Sequence, residues 1–298
     1  MEITILGTGS PPVPQTDRGG IGIHLSLGDD DVLVDCGPLT VHRMVDHGID
    51  LVDIEDVFFT HHHIDHNSDF FQFAILGWSL GRDTLTAYGP EYTKEFVEGT
   101  ASVYHDHIES WQEYGHPPEH DAGIRDIEAN TIDDAFPVRT SDWEATAHPV
   151  QHNITTYAYR FEEIQTGRSF VYTGDTGAIS SVSTFAAEAD VLVHDAAQTT
   201  AETILEEEVI PSKYLQEPFK TDIYENYLRR IESDTDQDVL NHHATAAEAG
   251  EVAAEANVDT LVLTHLSPYH DRNGMIRQAR EAFDGEIHIA EQGLRLTV

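Results

Sequence analysis

The stretch Thr60-His61-His62-His63-Ile64-Asp65-His66 decides how this chain is read. It follows a run, Asp56–Thr60, with the apolar and β-branched character of a buried strand. A chain leaving a strand at such a point can aim several successive side chains into one crevice. His61, His63, Asp65 and His66, packed this densely, do not serve a core, because each buried polar group needs a partner. Working outward, the same arrangement recurs. Asp35 follows Val32–Val34, His152 lies just past Glu144–His148, and Asp175 follows Ser169–Thr173. His194-Asp195 follow Val191–Val193, and His265 follows Thr260–Thr264. Chemically able residues thus sit at the C-terminal ends of strand after strand, the edge where layered α/β folds gather their ligand-binding groups.

Neutral imidazole nitrogen and carboxylate oxygen are the ligands that zinc accepts. Two metals a few ångströms apart share a bridging carboxylate. The residue set suits two ions: His61, His63 and His152 for the first, Asp65, His66 and His265 for the second, with Asp175 between them. Manganese and iron accept the same ligand mix, so sequence does not choose the metal. Asp35 reads as a hydrogen-bonding support for a ligand histidine rather than as a ligand. Cys36 reads as a small buried residue, and as the chain's one cysteine it can form no internal disulfide.

The other strands read from short apolar or β-branched runs are Met1–Leu6, Gly22–Leu27, Thr84–Tyr88, Thr155–Glu162 and one near Ile287–Ala290. Helices look fewer and later. The clearest is Ala246–Glu255, with Thr245 and Glu248 spaced as a capping box. Tyr224, Tyr227, Leu228 and Ile231 recur at helical spacing. No internal repeat or linker composition interrupts the 298 residues. The expectation is one domain, residues 1–298, with helical insertions near 92–130 and 196–241.

The motif resembles the T-H-x-H-x-D-H signature of the metallo-β-lactamase superfamily. Leu6-Gly7-Thr8-Gly9-Ser10-Pro11, Val34-Asp35-Cys36-Gly37, Thr173-Gly174-Asp175-Thr176, His194-Asp195-Ala196 and Leu263-Thr264-His265-Leu266-Ser267-Pro268 look like its ribonuclease Z branch. The resemblance runs nearly end to end outside the two insertions. It implies an α/β fold, the four-layer αββα sandwich, with two zinc ions and phosphodiester hydrolysis. It favours His152 over His148 as ligand, because Tyr159-Arg160 stand seven residues after His152, as a Tyr-Arg pair does in that branch. It also implies a proton relay. The branch pairs a Glu with a downstream His; here Asp195, one methylene shorter, would pair with His243. Asp65 would orient the nucleophile, and His243 would protonate the leaving oxygen.

Three departures stand against the tRNA-processing members. Only Arg160 to Tyr172 separate Tyr159 from Thr173, one hairpin with no room for the basic arm that grips tRNA. Asp195 replaces the branch's Glu, and Pro38-Leu39 replace its Glu-Gly beside Asp35-Cys36-Gly37. The expected activity is therefore that of an arm-less phosphodiesterase or nuclease, with RNA among its substrates. An arylsulfatase-like or other ester hydrolase remains an alternative, and so does a metal-loaded RNA- or protein-binding factor with little turnover. A homodimer is the expected assembly, with the helix around Tyr224–Ile231 as its interface.

No stretch approaches the roughly 18–20 apolar residues of a membrane span, and the first residues read as a strand rather than a signal peptide, so a cytoplasmic protein is expected. The formal charge is −38, from 16 basic and 54 acidic residues, spread along a chain full of apolar strands. Repulsion at this charge strains a compact state in dilute salt. It is screened near 1 M salt, where the Debye length falls to ~3 Å. This is the pattern of a salt-adapted protein. Its thermal midpoint should rise steadily between about 0.1 M and about 1 M KCl, as followed by circular dichroism; a midpoint independent of salt would refute the adaptation.

Overall fold

The computed structural model describes residues 1–9, 18–113, 124–125, 127–132, 136–200, 202–203, 205 and 242–298. Two seven-stranded sheets lie face to face. The first holds β1 (Glu2–Gly7), β2 (Gly22–Leu27), β3 (Asp30–Val34), β4 (Ile54–Phe58), β5 (Thr86–Gly89) and β6 (Glu128–Thr131), with the last strand of the chain, β14 (Arg295–Thr297), paired to β1. The second holds β7 (Pro137–Arg139), β8 (Trp143–Pro149), β9 (Tyr157–Glu163), β10 (Ser169–Tyr172), β11 (Val191–Asp195), β12 (Thr260–Thr264) and β13 (Glu286–Ile289), adjacent in chain order. Each sheet is antiparallel on one side and parallel on the other. In the first sheet β3, β4, β5 and β6 run parallel. In the second β10, β11, β12 and β13 do.

Alternation along the strands builds three apolar layers. Val32 and Val34 join Ile3, Ile23, Phe58, Tyr159, Phe161 and Val193 between the sheets. Leu33, Val57 and Phe59 face the other way, under α1 (Thr40–His47), α3 (Phe70–Leu80) and α4 (Thr93–Val103). On the far side Val171, Leu192 and Leu261 lie under α6 (Ser180–Phe185), α7 (Ala246–Ala256) and α8 (Arg272–Arg280). Two further helices, α2 (Ile64–Asn67) and α5 (His105–Glu113), complete the described set. The result is the expected αββα sandwich.

The capping box on α7 is present in both directions, with Thr245 accepting from the Glu248 amide and the Glu248 side chain accepting from the Thr245 amide. Other elements differ from expectation. Helices α1 and α3 lie between early strands, contrary to the reading that placed helices late. Helix α3, FFQFAILGWSL, is apolar on nearly every side because it is buried against the sheet, so it has no amphipathic stripe to read. The stretch near 92–130 holds α4 and α5, and its end is β6, an edge strand without buried residues. Most of the stretch near 196–241, including the helix read over Tyr224–Ile231, lies outside the described residues.

Beyond α3, Arg82 is 1% exposed. Its guanidinium donates to the carbonyls of Leu51, Ile54, Phe73 and Ala74 and lies 4.4 Å from the Phe73 ring centroid. Gly77 admits it: a Cβ there would stand 2.5 Å from the guanidinium carbon. Arg82→Met, which fills the space but donates nothing, should cost about 2–3 kcal/mol through the carbonyls left unpaired. Urea denaturation reads this directly, and an unchanged midpoint would contradict the anchoring role.

Candidate metal centre

The C-terminal ends of the strands meet on one edge of the sandwich. Sheet one contributes Asp35, just past β3, and the loop and short helix after β4 that carry His61, His63, Asp65 and His66. Sheet two contributes His152 past β8, Asp175 past β10, Asp195 at the end of β11 and His265 directly after β12. Two of these turns are strained: Asp35 (φ 57°) and His265 (φ 63°) adopt the left-handed conformation, at a cost of order 1 kcal/mol or more that the surroundings must enforce. Cross-sheet bonds fix the histidine loop. The Tyr157 amide donates to Thr60 O at 3.0 Å and the Tyr159 hydroxyl to Phe59 O at 2.6 Å. The Ile21 amide holds Asp65 O, and Gly37 lies so close to that carbonyl that a Cβ would stand 1.9 Å from it.

Hydrogen bonds behind the cluster settle which ring nitrogen faces inward. Thr60 Oγ1 donates to Asp35 Oδ2 at 2.8 Å, so it accepts from His61 Nδ1 at 2.9 Å, and His61 Nε2 keeps its lone pair. His66 Nδ1 donates to the same Asp35 oxygen at 2.7 Å, leaving Nε2 free. His152 Nδ1 donates to His242 O at 3.0 Å, again leaving Nε2. Asp35 has the supporting role expected of it. Burial pushes its carboxyl up, against the pull of His66 and the Thr60 bonds.

His61 Nε2 lies 3.0 Å from His63 Nδ1, which lies 3.3 Å from His152 Nε2. Asp175 Oδ2 stands 3.7 Å from His61 Nε2 and 3.9 Å from His152 Nε2. Metal–nitrogen bonds of about 2.0–2.1 Å in a tetrahedron put ligand atoms about 3.3 Å apart, close to what these four show. Beside them His265 Nε2 lies 3.2 Å from Asp65 Oδ2 and 3.3 Å from Asp175 Oδ2. His66 Nε2 lies 3.3 Å from Asp175 Oδ1 and 3.5 Å from Asp65 Oδ2. The carboxylate of Asp175 therefore stands between the two groups. His66 Nε2, Asp65 Oδ1 and Asp175 Oδ1 are buried without a hydrogen-bond partner among the described residues. Native interiors rarely leave such atoms unpaired. Both groups could hold a metal ion, and the donor set is that of a divalent cation.

The charges agree. Burial lowers His61 well below the usual imidazole range and takes His152 down to about 4, so both stay neutral and able to ligate. Burial also opposes charge on His66 and His265, but Asp175 and the other carboxylates prevail, raising His66 well above its usual value and His265 to about 10. His62 is apart from the cluster: its Nε2 pairs with Thr93 Oγ1 at 2.8 Å, and burial takes it to about 4. His148 is also apart, with its ring stacked on Phe185.

At the edge of the second group, His243 Nδ1 meets Asp195 Oδ2 at 2.7 Å. The shorter carboxylate still reaches, and it is fixed by the Thr176 and Ala197 amides at 3.0 and 2.7 Å. Burial works against its charge, yet His243 and His265 hold it at about 2. Sequence reading missed Thr60 and the His242 carbonyl as orienting groups; no local pattern marks a backbone oxygen ninety residues from the ring it holds.

A family model described as the β-lactamase superfamily domain matches residues 31–266. Ribonuclease Z of Mycobacterium bovis (strain BCG / Pasteur 1173P2) is 27% identical over 283 residues, covering 90% of this chain and 86% of its own. Ribonuclease Z of Haloferax volcanii is 25% identical, covering 100% of this chain and 95% of its own. Among solved structures, the metallo-β-lactamase fold protein YhfI from Bacillus subtilis is 21% identical and superposes with a TM-score of 0.70, covering 99% of this chain and 98% of its own. The short form of human tRNase Z is 20% identical with a TM-score of 0.68, covering 100% of this chain and 99% of its own.

Asp35→Asn keeps the shape of the support but has one acceptor oxygen in place of two, so it cannot accept from the Thr60 amide as well as from the Thr60 hydroxyl and His66. It should weaken metal affinity about 10–100-fold, read by competition with a chromogenic chelator. Wild-type affinity in a folded variant would show that the support is dispensable.

Proposed function

The chain belongs to the β-lactamase superfamily, and on that premise we propose that it is a metal-dependent phosphodiesterase or nuclease related to ribonuclease Z, working with two zinc ions on RNA or a similar phosphodiester. The observation that carries this reading is the pair of adjoining ligand groups, His61, His63 and His152 on one side and Asp65, His66 and His265 on the other, joined by Asp175. Manganese or iron would fit the same donors.

Bound there, such ions supply Lewis acidity and an activated water at neutral pH. The remaining work falls to the chain. Asp65 Oδ1, without a partner among the described residues, is the acceptor available to orient the nucleophile. His243 is anchored through Nδ1 on Asp195, and its Nε2 is the atom that would give a proton to the departing oxygen. Burial disfavours its charge, but Asp195 outweighs burial and raises it above the ordinary imidazole value, which suits an acid rather than a base. Thr176 and Ala197 hold the Asp195 carboxylate so that the imidazole cannot swing away.

Between Glu163 and Ser169 the chain makes only a short turn joining β9 to β10, where the armed tRNA-processing enzymes would carry their arm. The reading is therefore an arm-less enzyme rather than a tRNA 3′-processing enzyme of that type. Among the described residues no helix is long and apolar enough to cross a membrane. A cytoplasmic, salt-adapted homodimer is part of the same proposal and rests on the charge balance and the resemblance.

His243→Ala should separate chemistry from binding. With an alkoxide leaving group kcat should fall about 10²–10⁴-fold, while a nitrophenolate, which leaves without a proton, should suffer far less. Equal losses on both substrates would remove the general-acid role. Failure of the metal-loaded protein to hydrolyse either diester would sink the proposed function.

A further inference from the structure

On the outer face of the second sheet an open groove of about 520 Å³ is lined by Thr146, His148, Arg160, Ser181, Thr184 and Phe185. The strand register explains its composition. Ala145, Tyr159 and Phe161 point into the core between the sheets. Their neighbours Thr146, His148 and Arg160 therefore point out, and Thr146 stands directly opposite Arg160. Helix α6 forms the other wall with Ser181, Thr184 and Phe185, and the Phe185 ring stacks on that of His148 at 5.2 Å.

Arg160 brings the lining its guanidinium, and like Arg82 and Arg280 it bonds backbone carbonyls rather than a carboxylate among the described residues. The acidic residues number 54 against 16 basic ones, and Arg43, Arg139, Arg168, Arg272, Arg277 and Arg295 each pair with a carboxylate. Arg160 has no carboxylate partner among the described residues. One amino group, Nη1, is anchored on the carbonyls of Phe185 and Ala187 at 3.3 and 3.0 Å. That anchor fixes the guanidinium plane and leaves the other donors unused in the described structure. A planar, pre-oriented guanidinium among hydroxyls and an imidazole is a phosphate-binding surface. Its acidic neighbours, the opposed Glu144 and Glu162, lie one step along the strands on the side away from His152.

The groove adjoins the metal centre through both of its walls. His148 precedes His152 by four residues, about 13 Å at most in extended chain. Ser181 follows Asp175 by six, and the two loops between are tied by the Gln151 amide on Thr176 Oγ1 and the Gly177 amide on Gln151 O, each at 3.2 Å. We propose that this groove binds a phosphate of an oligonucleotide strand whose scissile bond lies at the metal centre, so that the enzyme acts on a polynucleotide rather than on a small diester. The inference rests on the phosphodiesterase reading and deepens it. Arg160 is a substrate-positioning residue in this scheme, reading the backbone and carrying no base specificity.

The test compares kcat/KM for an oligoribonucleotide and for bis(4-nitrophenyl) phosphate, with metal-loaded full-length protein at one fixed salt concentration. Two variants are used. Arg160→Gln removes the charge, and Thr184→Glu adds a carboxylate on an exposed position of the groove. In both, the ratio of oligonucleotide to small-diester efficiency should fall about tenfold, carried by KM. In the wild type, KM should also drop as a dinucleotide is lengthened. A ratio unmoved in both folded variants overturns the groove while leaving the phosphodiesterase reading intact. A wild type that hydrolyses the small diester but not the oligonucleotide does the same. A wild type inactive on both overturns the two together.

Discussion

One buried carboxylate holds the candidate metal centre in register. Asp35 is fully enclosed, and it accepts from the Thr60 amide at 2.8 Å, from the Thr60 hydroxyl at 2.8 Å and from His66 at 2.7 Å. Through the threonine it sets the tautomer of His61, and directly it sets that of His66. The two rings belong to different candidate ligand groups, so a single side chain orients both. A desolvated charge is costly unless it is paired and hydrogen-bonded, and these bonds, with His66, are what keep it there. The strained turn at Asp35, the tight approach of Gly37 to Asp65 O and the buried tyrosine on Phe59 O all place backbone around this arrangement.

The fold supplies the rest by geometry. Two half-parallel sheets present their strand ends on the same edge, and the seam between them is where ligands from each half meet. Sheet one gives a compact histidine run; sheet two gives single residues far apart in sequence. The Asp175 carboxylate stands where the halves join. The carboxylates gathered there raise both His66 and His265 against the effect of burial, which marks the seam as a place that favours a cation. A divalent ion placed there would meet the same carboxylates, and any protons on its ligands would leave as it binds.

Much of this was legible in the sequence because strand ends and clustered His and Asp residues leave local marks. The run from His61 to His66, and the recurrence of Asp or His after β-branched runs, located both groups. The capping box at Thr245 located α7. What sequence did not mark has a physical reason in each case. Helix α3 is buried nearly all round, so its periodicity is erased. Strands β6 and β14 are short edge strands with no fully buried residue, and they carry little alternation. The choice between Asp195 reaching or missing His243 turned on one methylene, and only the positions of Thr176 and Ala197 decided it. The outer groove is equally silent in sequence, because an arginine without a carboxylate partner is a fact of space, not of composition.

The central claim is that seven side chains hold two ions with Asp175 between them. Anomalous diffraction from crystals grown with zinc, together with metal analysis of the same protein, tests it most directly. The account predicts two ions per chain, one among His61, His63 and His152 and the other among Asp65, His66 and His265, both bound to Asp175, with Asp175→Ala losing metal from both positions. A single ion, or ions seated away from Asp175, would contradict it.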